Sequence, residues 1–586
     1  MMKWIFIFLL VAISIGACKK ASFLDNKTDT ALSEERVFKD SVLTIAFLTR
    51  IYEDIGFSFN KNGNLRTEHA TDDGEPQGVQ GSTQPSFILS NGLINPATLN
   101  IQFWSLPYQN IRRVNLLLSK LPETPLSPTL QKRMAAEARF LRVWYYHFLL
   151  KYFGGVPLVG DRLFEITENL DIPRSTYAEC VDYLVSELDA IRSALPAPGD
   201  YADIDFGRVT AGACMALKSR ILLLAASPLF NGESIATDPE LASIVSYPVY
   251  GVDKWERAAQ AALELMQTGY YSLYEDNVTR PGNGFFQVFL ERSNPEYIFA
   301  SLRAPNREME SYYNPPSRGG VRGTMPTQNL VDAFPMKDGK FPVKAGVPPA
   351  IGEPSKYDYH LNPDPYLNLD PRFYFTVIHN GATWFQTTSN GQAPVNIYLN
   401  APSDGYNTTT GPNFTGYYCR KMCDEKIAGN SNFNTNRGWP LIRYAEILLN
   451  YAEAITEAGQ PELAYEAIKT IRKRAGIEPG TDEMYGLKAD MKQDEMRELV
   501  RNERRIELAF EDHRWFDLRR WKLAVSNLNG NFNKAMRITR TGGVDTHEIV
   551  DVISQKIMVF PEQMYLLPIP DGEIRKMPAM RQNPKW

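Results

Sequence analysis

Glu503, Glu507, His513 and Asp517 are the residues whose types and spacing come nearest to catalytic chemistry. Glu503 and Glu507 stand four apart, on one face of a helix, and a pair of carboxylates is what glycoside hydrolysis requires. Six arginines crowd the same stretch: Arg501, Arg504, Arg505, Arg514, Arg519 and Arg520. A guanidinium beside a carboxylate keeps it ionised, which suits a structural ion network and not a general acid. We therefore expect these acidic groups to pair with the neighbouring arginines. Cys419-x-x-x-Cys423 has no histidine or second cysteine pair with it, so a zinc site is not indicated. The chain has six histidines in 586 residues, none closely paired, which leaves little for metal or acid–base work. No His-Glu-x-x-His, Gly-x-Ser-x-Gly or phosphate-cradling Gly-x-x-x-x-Gly-Lys-Ser/Thr motif occurs. Neither a cofactor nor an enzymatic centre is expected.

Binding chemistry is better represented. A sugar offers a flat C–H face to an aromatic ring and hydroxyl pairs to carboxylates, amides and guanidinium groups. Such residues collect in two Gly-, Asn- and Pro-rich stretches, at about 56–100 and 281–436. The first holds Asp72, Asp73, Glu75, Gln77 and Gln80; the second holds Tyr312, Tyr313, Arg318, Arg322 and Trp384. Trp384 follows the turn signal Asn380-Gly381 with no helical partner to bury it, so it reads as an exposed stacking platform. Tyr312 and Tyr313 precede Asn314-Pro315-Pro316, a run that resists regular structure. Trp104, by contrast, has Tyr108 and Ile111 at helical spacing and reads as core.

Helices must hold these loops. Apolar periodicity predicts them over Trp104–Leu121, Leu130–Tyr152, Thr176–Leu195, Thr210–Ala226, Asp253–Thr268, Leu441–Gly459, Pro461–Ala475 and Glu495–Phe510. Val42, Ile45, Ala46, Thr49 and Tyr52 mark one more near the N-terminus. Leu441–Gly476 fits a tetratricopeptide-like helix pair, with Ala452 and Ala464 at the contact, Gly459 in the turn, and Leu448, Ile455, Ile468 and Ile471 on the packing face. Trp255, Ala258 and Ala259 resemble half of another unit, and Cys180 and Cys214 fall on apolar helical positions as small core residues.

A positive start at Lys3 and an apolar run from Trp4 to Ile15 have the proportions of a signal peptide. That run is too short to span a bilayer. Ile15-Gly16-Ala17-Cys18 then resembles a lipobox, so residues 1–17 are expected to be removed and Cys18 acylated. A formal charge of −5 and a pI near 5.9 give no electrostatic footprint for nucleic acid.

Five blocks in order resemble the SusD/RagB family: Ala136-Glu-Ala-Arg-Phe-Leu-Arg142 with Tyr152 to Leu158; Arg208 to Thr210 with Ala225 to Asn231; Arg443-Tyr-Ala-Glu-Ile-Leu-Leu-Asn-Tyr-Ala-Glu453; Glu503 to Phe510 with His513 to Trp521; and Leu567-Pro-Ile-Pro570 with Gln582-Asn-Pro584. The resemblance implies a mainly α fold, a superhelix of tetratricopeptide-like stacked pairs with a large loop-rich insertion. It implies an N-terminal part over 18–280 and a C-terminal part over 281–586, packed as one body. It further implies an outer-membrane lipoprotein that binds oligosaccharides and acts as the lid of a SusC-like TonB-dependent transporter in nutrient uptake. In the RagB branch peptides replace glycans. A surface glycosidase and a pure assembly protein are the other readings. Lys19-Lys20 departs from the acidic residues that often follow the lipidated cysteine of surface-exposed members.

Overall fold

A computed structural model describes residues 33–56, 66–77, 85–165, 167–168, 170–343, 349–357, 364–386, 391–406, 413–552 and 557–586. The expected signal peptide, Cys18 and Gln80 lie outside the described residues. Helices begin where a side chain accepts the free N–H groups of a first turn, and several end at a left-handed glycine. Helix α1, Ser41–Glu53, is capped by Asp40. Helix α2 is Gln102–Lys120. Ser127 caps α3, Pro128–Phe153, which stops at Gly154 with φ of +78°. A reciprocal Thr176–Glu179 capping box opens α4, Tyr177–Ile191, and Thr210 caps α5, Ala211–Ala226. Helix α6 is Asp253–Gln267. Helix α1 forms where expected but turns another face inward: Thr44, Leu48 and Ile51 are buried, whereas Val42 is 73% exposed.

The stretches expected to be irregular are stitched by short antiparallel ladders. Strand β1, Gly74–Pro76, pairs with β3, Thr324–Pro326, and β2, Tyr297–Leu302, pairs with β8, Gly438–Arg443. Between them lie helix α7, Glu308–Tyr313, the pair β4 (Val377–Ile378) with β7 (Tyr418–Cys419), and the pair β5 (Thr383–Gln386) with β6 (Gly391–Pro394). The C-terminal part adds α8, Tyr444–Glu457, α9, Tyr465–Arg474, α10, Gln493–Glu507, α11, Arg514–Arg520, and a hairpin of β9, Lys534–Thr541, with β10, Val544–Asp551.

Helices α8 and α9 form the expected pair: Ala452 and Ala464 are fully buried at their contact, and Gly459 and Gly476 take left-handed φ of +84° and +78°. Helix α6 packs on both α5 and α8, α8 packs on α10, and α2 and α4 pack on α3. The fold is mainly α, built of stacked helix pairs. One apolar cluster joins helices from both ends of the chain; a second lies under the insertion.

An ion network lies among these elements. Glu507 is 0% exposed and meets Arg443 at 2.7 Å, Arg372 at 3.1 Å and also Arg474. Arg443 and Arg474 share Glu296 at 2.7 and 2.8 Å, and Arg443 also holds Glu511 at 2.7 Å. Glu503 takes Arg372 at 2.7 Å and Arg472 at 2.9 Å. For Glu503 and Glu507 these partners are not the neighbouring arginines expected from sequence, whereas Asp517 does pair with two of them, Arg504 and Arg520. Arg504 turns to Asp517, Arg505 and Arg514 reach Asp72, and Arg520 binds Asp517 and Glu453. Helical geometry is the reason, because residues flanking Glu503 and Glu507 leave the axis in other directions. Burial alone raises a carboxyl, yet the surrounding guanidinium groups win and hold Glu503, Glu507 and Glu511 below the ordinary value of 4.5. Arg520 likewise overcomes burial and brings Glu453 down to about 2.

Trp384 is not an exposed platform. It is 1% exposed within the second cluster, on β5, with the Arg420 guanidinium 4.8 Å from its ring. The Asn380-Gly381 turn exists, with φ of +82° at Gly381, but it leads into a paired strand and not an open loop.

Three outcomes follow from this packing. Glu507→Ala leaves three buried guanidinium groups without their shared counter-charge and should cost about 3–5 kcal/mol in urea unfolding. Trp384→Ala should cost about 3–5 kcal/mol and spare ligand affinity in the folded fraction. Carboxyls held low in the folded state stabilise it above pH 4.5, and that contribution is lost as pH falls toward about 2. For Glu453 it is on the order of 3 kcal/mol. Asp73 and Asp370 are raised by burial and act in the opposite sense. Urea midpoints between pH 6 and 2 should therefore fall steeply below about pH 4.5, the unfolded carboxylate range.

Candidate functional site

Ladder β1–β3 brings most of the expected binding residues together across some 250 positions of sequence, with Gly74 opposite Pro326 and Pro76 opposite Thr324. Asp72 and Asp73 enter the ladder from one side and Arg322 from the other. Tyr312, at the end of α7, donates its hydroxyl to Gly323 O at 2.9 Å. Only glycine fits there, since a Cβ on Gly323 would stand 2.1 Å from the Tyr312 ring.

Most of their polar atoms are already engaged. Asp72 accepts from Arg514 Nε and Nη2 at 2.9 and 2.8 Å, and Arg505 bridges Asp72 and Asp73 at 3.0 and 2.6 Å. Burial acts to raise both carboxyls. The two arginines overcome it at Asp72, which lies below the ordinary range, but not at Asp73, which the adjacent Asp72 charge also pushes up. Glu75 is buried and accepts from Asn533 at 2.7 Å. Tyr313 is 0% exposed and takes a hydrogen bond from Arg66 at 3.0 Å, while the same guanidinium lies 3.7 Å from the centre of the half-buried Tyr312 ring. Arg318 is buried and donates to Ala393 O and Pro394 O. Gln77 is exposed, and Arg322 is half-buried with φ of +51° and makes no ion pair among the described residues. Asp72 and Asp73 thus stand at one end of the ladder, paired with Arg505 and Arg514, while Tyr312 and Arg322 lie at the other end near Gly323; only Arg322 keeps its charge unpaired among the described residues. Trp384 belongs to the core beneath.

A residue that sequence reasoning missed is better placed. Phe433 is 75% exposed, in the run Asn430-Ser431-Asn432-Phe433-Asn434-Thr435-Asn436. The loop is held at both ends. Gly429 N donates to Arg318 O at 2.8 Å, and Gly429 O accepts from Arg307 Nε and Ser311 Oγ at 3.0 and 2.8 Å. Thr435 and Asn306 then exchange two backbone hydrogen bonds of 3.1 and 2.9 Å. Asn306 also lines a shallow recess of about 30 Å³ with Ser301, Arg303, Glu308, Arg437 and Trp439. An exposed aromatic face with asparagines on either side in sequence, on a pinned loop near a small recess lined by Trp439 and Met309 as well as Arg303 and Asn306, has the means to stack on a sugar and bind its hydroxyls. The sequence signal was an isolated aromatic among asparagines. Among the described residues no group of three or more His, Cys, Asp and Glu side chains is arranged to hold a metal, and Glu503 and Glu507 are buried among arginines.

Comparison with known proteins bears on the same scaffold. The SusD family model matches residues 293–586, and a model described as starch-binding and associating with outer membrane matches 22–223. SusD-like protein P38 of Formosa agariphila is 24% identical over 549 residues, 89% of this chain and 92% of that protein. SusD-like protein P2 of the same organism is 32% identical over 163 residues, 27% of this chain and 28% of its own. A SusD-like protein from Bacteroides fragilis superposes with a TM-score of 0.75 at 24% identity, covering 94% of this chain and 99% of that one. Surface glycan-binding protein A from Bacteroides fluxus gives 0.60 at 18%, covering 93% and 100%. These likenesses establish the fold. With half of its length matched by the SusD family model, the chain belongs to the SusD/RagB family.

Proposed function

We propose that this protein is a glycan-binding lipoprotein of the outer membrane that serves as the lid of a SusC-like TonB-dependent transporter. The observation that carries the ligand class is Phe433, a large aromatic left 75% exposed on a loop pinned at both ends and flanked by amides. The family supports a binding role in place of catalysis, and the membrane association named for the matched N-terminal model supports the location. No helix among the described residues is long and apolar enough to cross a membrane. Acylation at Cys18 would hold the protein there, since more than one acyl chain is needed for stable anchoring. The glycan lies across Phe433, with Arg303 and Asn306 of the nearby recess in reach. Asp72, Asp73 and Tyr313 are buried and paired with arginines, and do not touch ligand.

Two outcomes test this. Against a panel of polysaccharides in affinity gels or calorimetry, Phe433→Ala should weaken binding ten- to hundredfold, about 1.4–2.7 kcal/mol, with the melting temperature unchanged. Unaltered affinity for the glycan that binds the parent chain would remove Phe433 from the site. Cys18→Ala should leave a protein that is not acylated and that no longer fractionates with outer membranes when the transporter is absent.

A further inference from the structure

A cavity of about 100 Å³ lies between the helical body and the β2–β8 ribbon, sharing Trp439 with the recess near Phe433. It is roomy enough for several water molecules, each needing about 10–15 Å³ on this measure. Trp144, Phe148, Trp439 and Phe516 form flat apolar walls. Into these walls α3 projects His147 and Lys151, four residues apart and so on one face. Lys151, Asp512, His513 and Phe516 keep partial solvent exposure, so the cavity is not sealed.

The polar lining is unevenly satisfied. Arg220 is committed to both oxygens of Glu446 and to Leu441 O. Arg504 is committed to Asp517, Asn450 and His513. Lys151 has no such partner among the described residues: its ammonium lies 3.8 Å from the Phe516 ring centre and makes no ion pair or hydrogen bond. The carboxylate that acts on it most strongly, Asp512, makes no ion pair with it and accepts from Thr67 instead. His147 is 5% exposed, and its Nδ1 is buried with no hydrogen-bond partner. His513 Nδ1 faces Arg504, which leaves Nε2 to carry the proton; Glu446, 3.9 Å from Nε2, is spent on Arg220. After burial, the charges that act most strongly on both imidazoles are cations: Lys151 and Arg220 on His147, and Arg504 and Arg220 on His513. The end of α3 accounts for a cation at Lys151. It does not account for a buried imidazole nitrogen without a partner one turn away, nor for an ammonium that faces the cavity with no acceptor; the first costs free energy unless something fills the space.

We propose that this cavity is a second ligand site that takes a small monovalent carboxylate, its oxygens received by Lys151 and His147 and its body held flat between Trp144, Trp439 and Phe516. Glu446, Asp512 and Glu511 on the lining select against a doubly charged anion such as phosphate. A single carboxylated sugar ring and a simple short-chain acid share this chemistry.

The test uses the detergent-solubilised full chain, with tryptophan fluorescence and thermal melting read at constant ionic strength. The probes are sodium acetate, D-galacturonate, neutral D-galactose and inorganic phosphate. Acetate or galacturonate should produce a saturable fluorescence change and raise the melting temperature, with little response to galactose or phosphate. Response to both carboxylates assigns the site to the carboxylate group alone, and response to galacturonate only assigns it to an acidic sugar. Lys151→Met, which keeps the apolar stem over Phe516, should weaken carboxylate binding at least tenfold while leaving glycan binding at Phe433 intact. His147→Phe should weaken it as well, so the test survives if one variant fails to fold. Lys488→Met, at an exposed lysine paired with Glu495, should behave as the parent chain. The proposal is overturned if neither carboxylate gives a saturable response, if phosphate or galactose binds as well, or if both cavity variants respond as the parent does.

Discussion

Glu507 has no access to water, and its charge is balanced chiefly by arginines drawn from three separate stretches of chain. Arg372 comes from the insertion, Arg443 from the junction of β8 with α8, and Arg474 from the end of α9. Glu296 and Glu511 close the circuit by sharing Arg443. Each ion would be expensive to bury alone, so the arrangement tolerates little displacement of any one member. A network of this kind is weak evidence of net stability over an apolar core. What it does fix is register: the insertion can dock on the helix pairs in only one way if all these charges are to be met.

That docking decides which groups remain for ligand. Arg505 and Arg514 project from the same C-terminal block and draw Asp72 and Asp73 out of the N-terminal loop. Arg66 does the same with Tyr312 and Tyr313. Residues of the right type to hold a sugar are thereby used to hold the loops, while Phe433 is left exposed. The internal cavity is another place where polar groups are left over, and there they stand on α3 and the α10–α11 turn.

What could be read from sequence followed the range of the interactions involved. Helix limits were legible to within a few residues because apolar periodicity and stop signals act over short range, and the α8–α9 pair because its alanines, turn glycine and apolar face fall within one repeat. The family blocks were legible for the same reason. The inward face of α1 was not, since its apolar residues lie nearly all round the helix and tertiary contacts choose among them. The partners of Glu503 and Glu507 were hidden because a helix sends adjacent side chains in different directions, and the nearest arginines in sequence were not the nearest in space. Trp384 was misread because a two-strand ladder with β6 leaves almost no periodic trace, while an Asn-Gly turn is conspicuous. Phe433 was passed over because one exposed aromatic among asparagines has no pattern around it, and its exposure is set by contacts to Arg307, Ser311 and Asn306.

If the Arg–Glu network ties the insertion to the helix pairs, the two apolar clusters must melt together. Differential scanning calorimetry at neutral pH tests this most directly. The account predicts one transition whose calorimetric and van't Hoff enthalpies agree. Two separable transitions, with the insertion melting while the helix pairs persist, would contradict it.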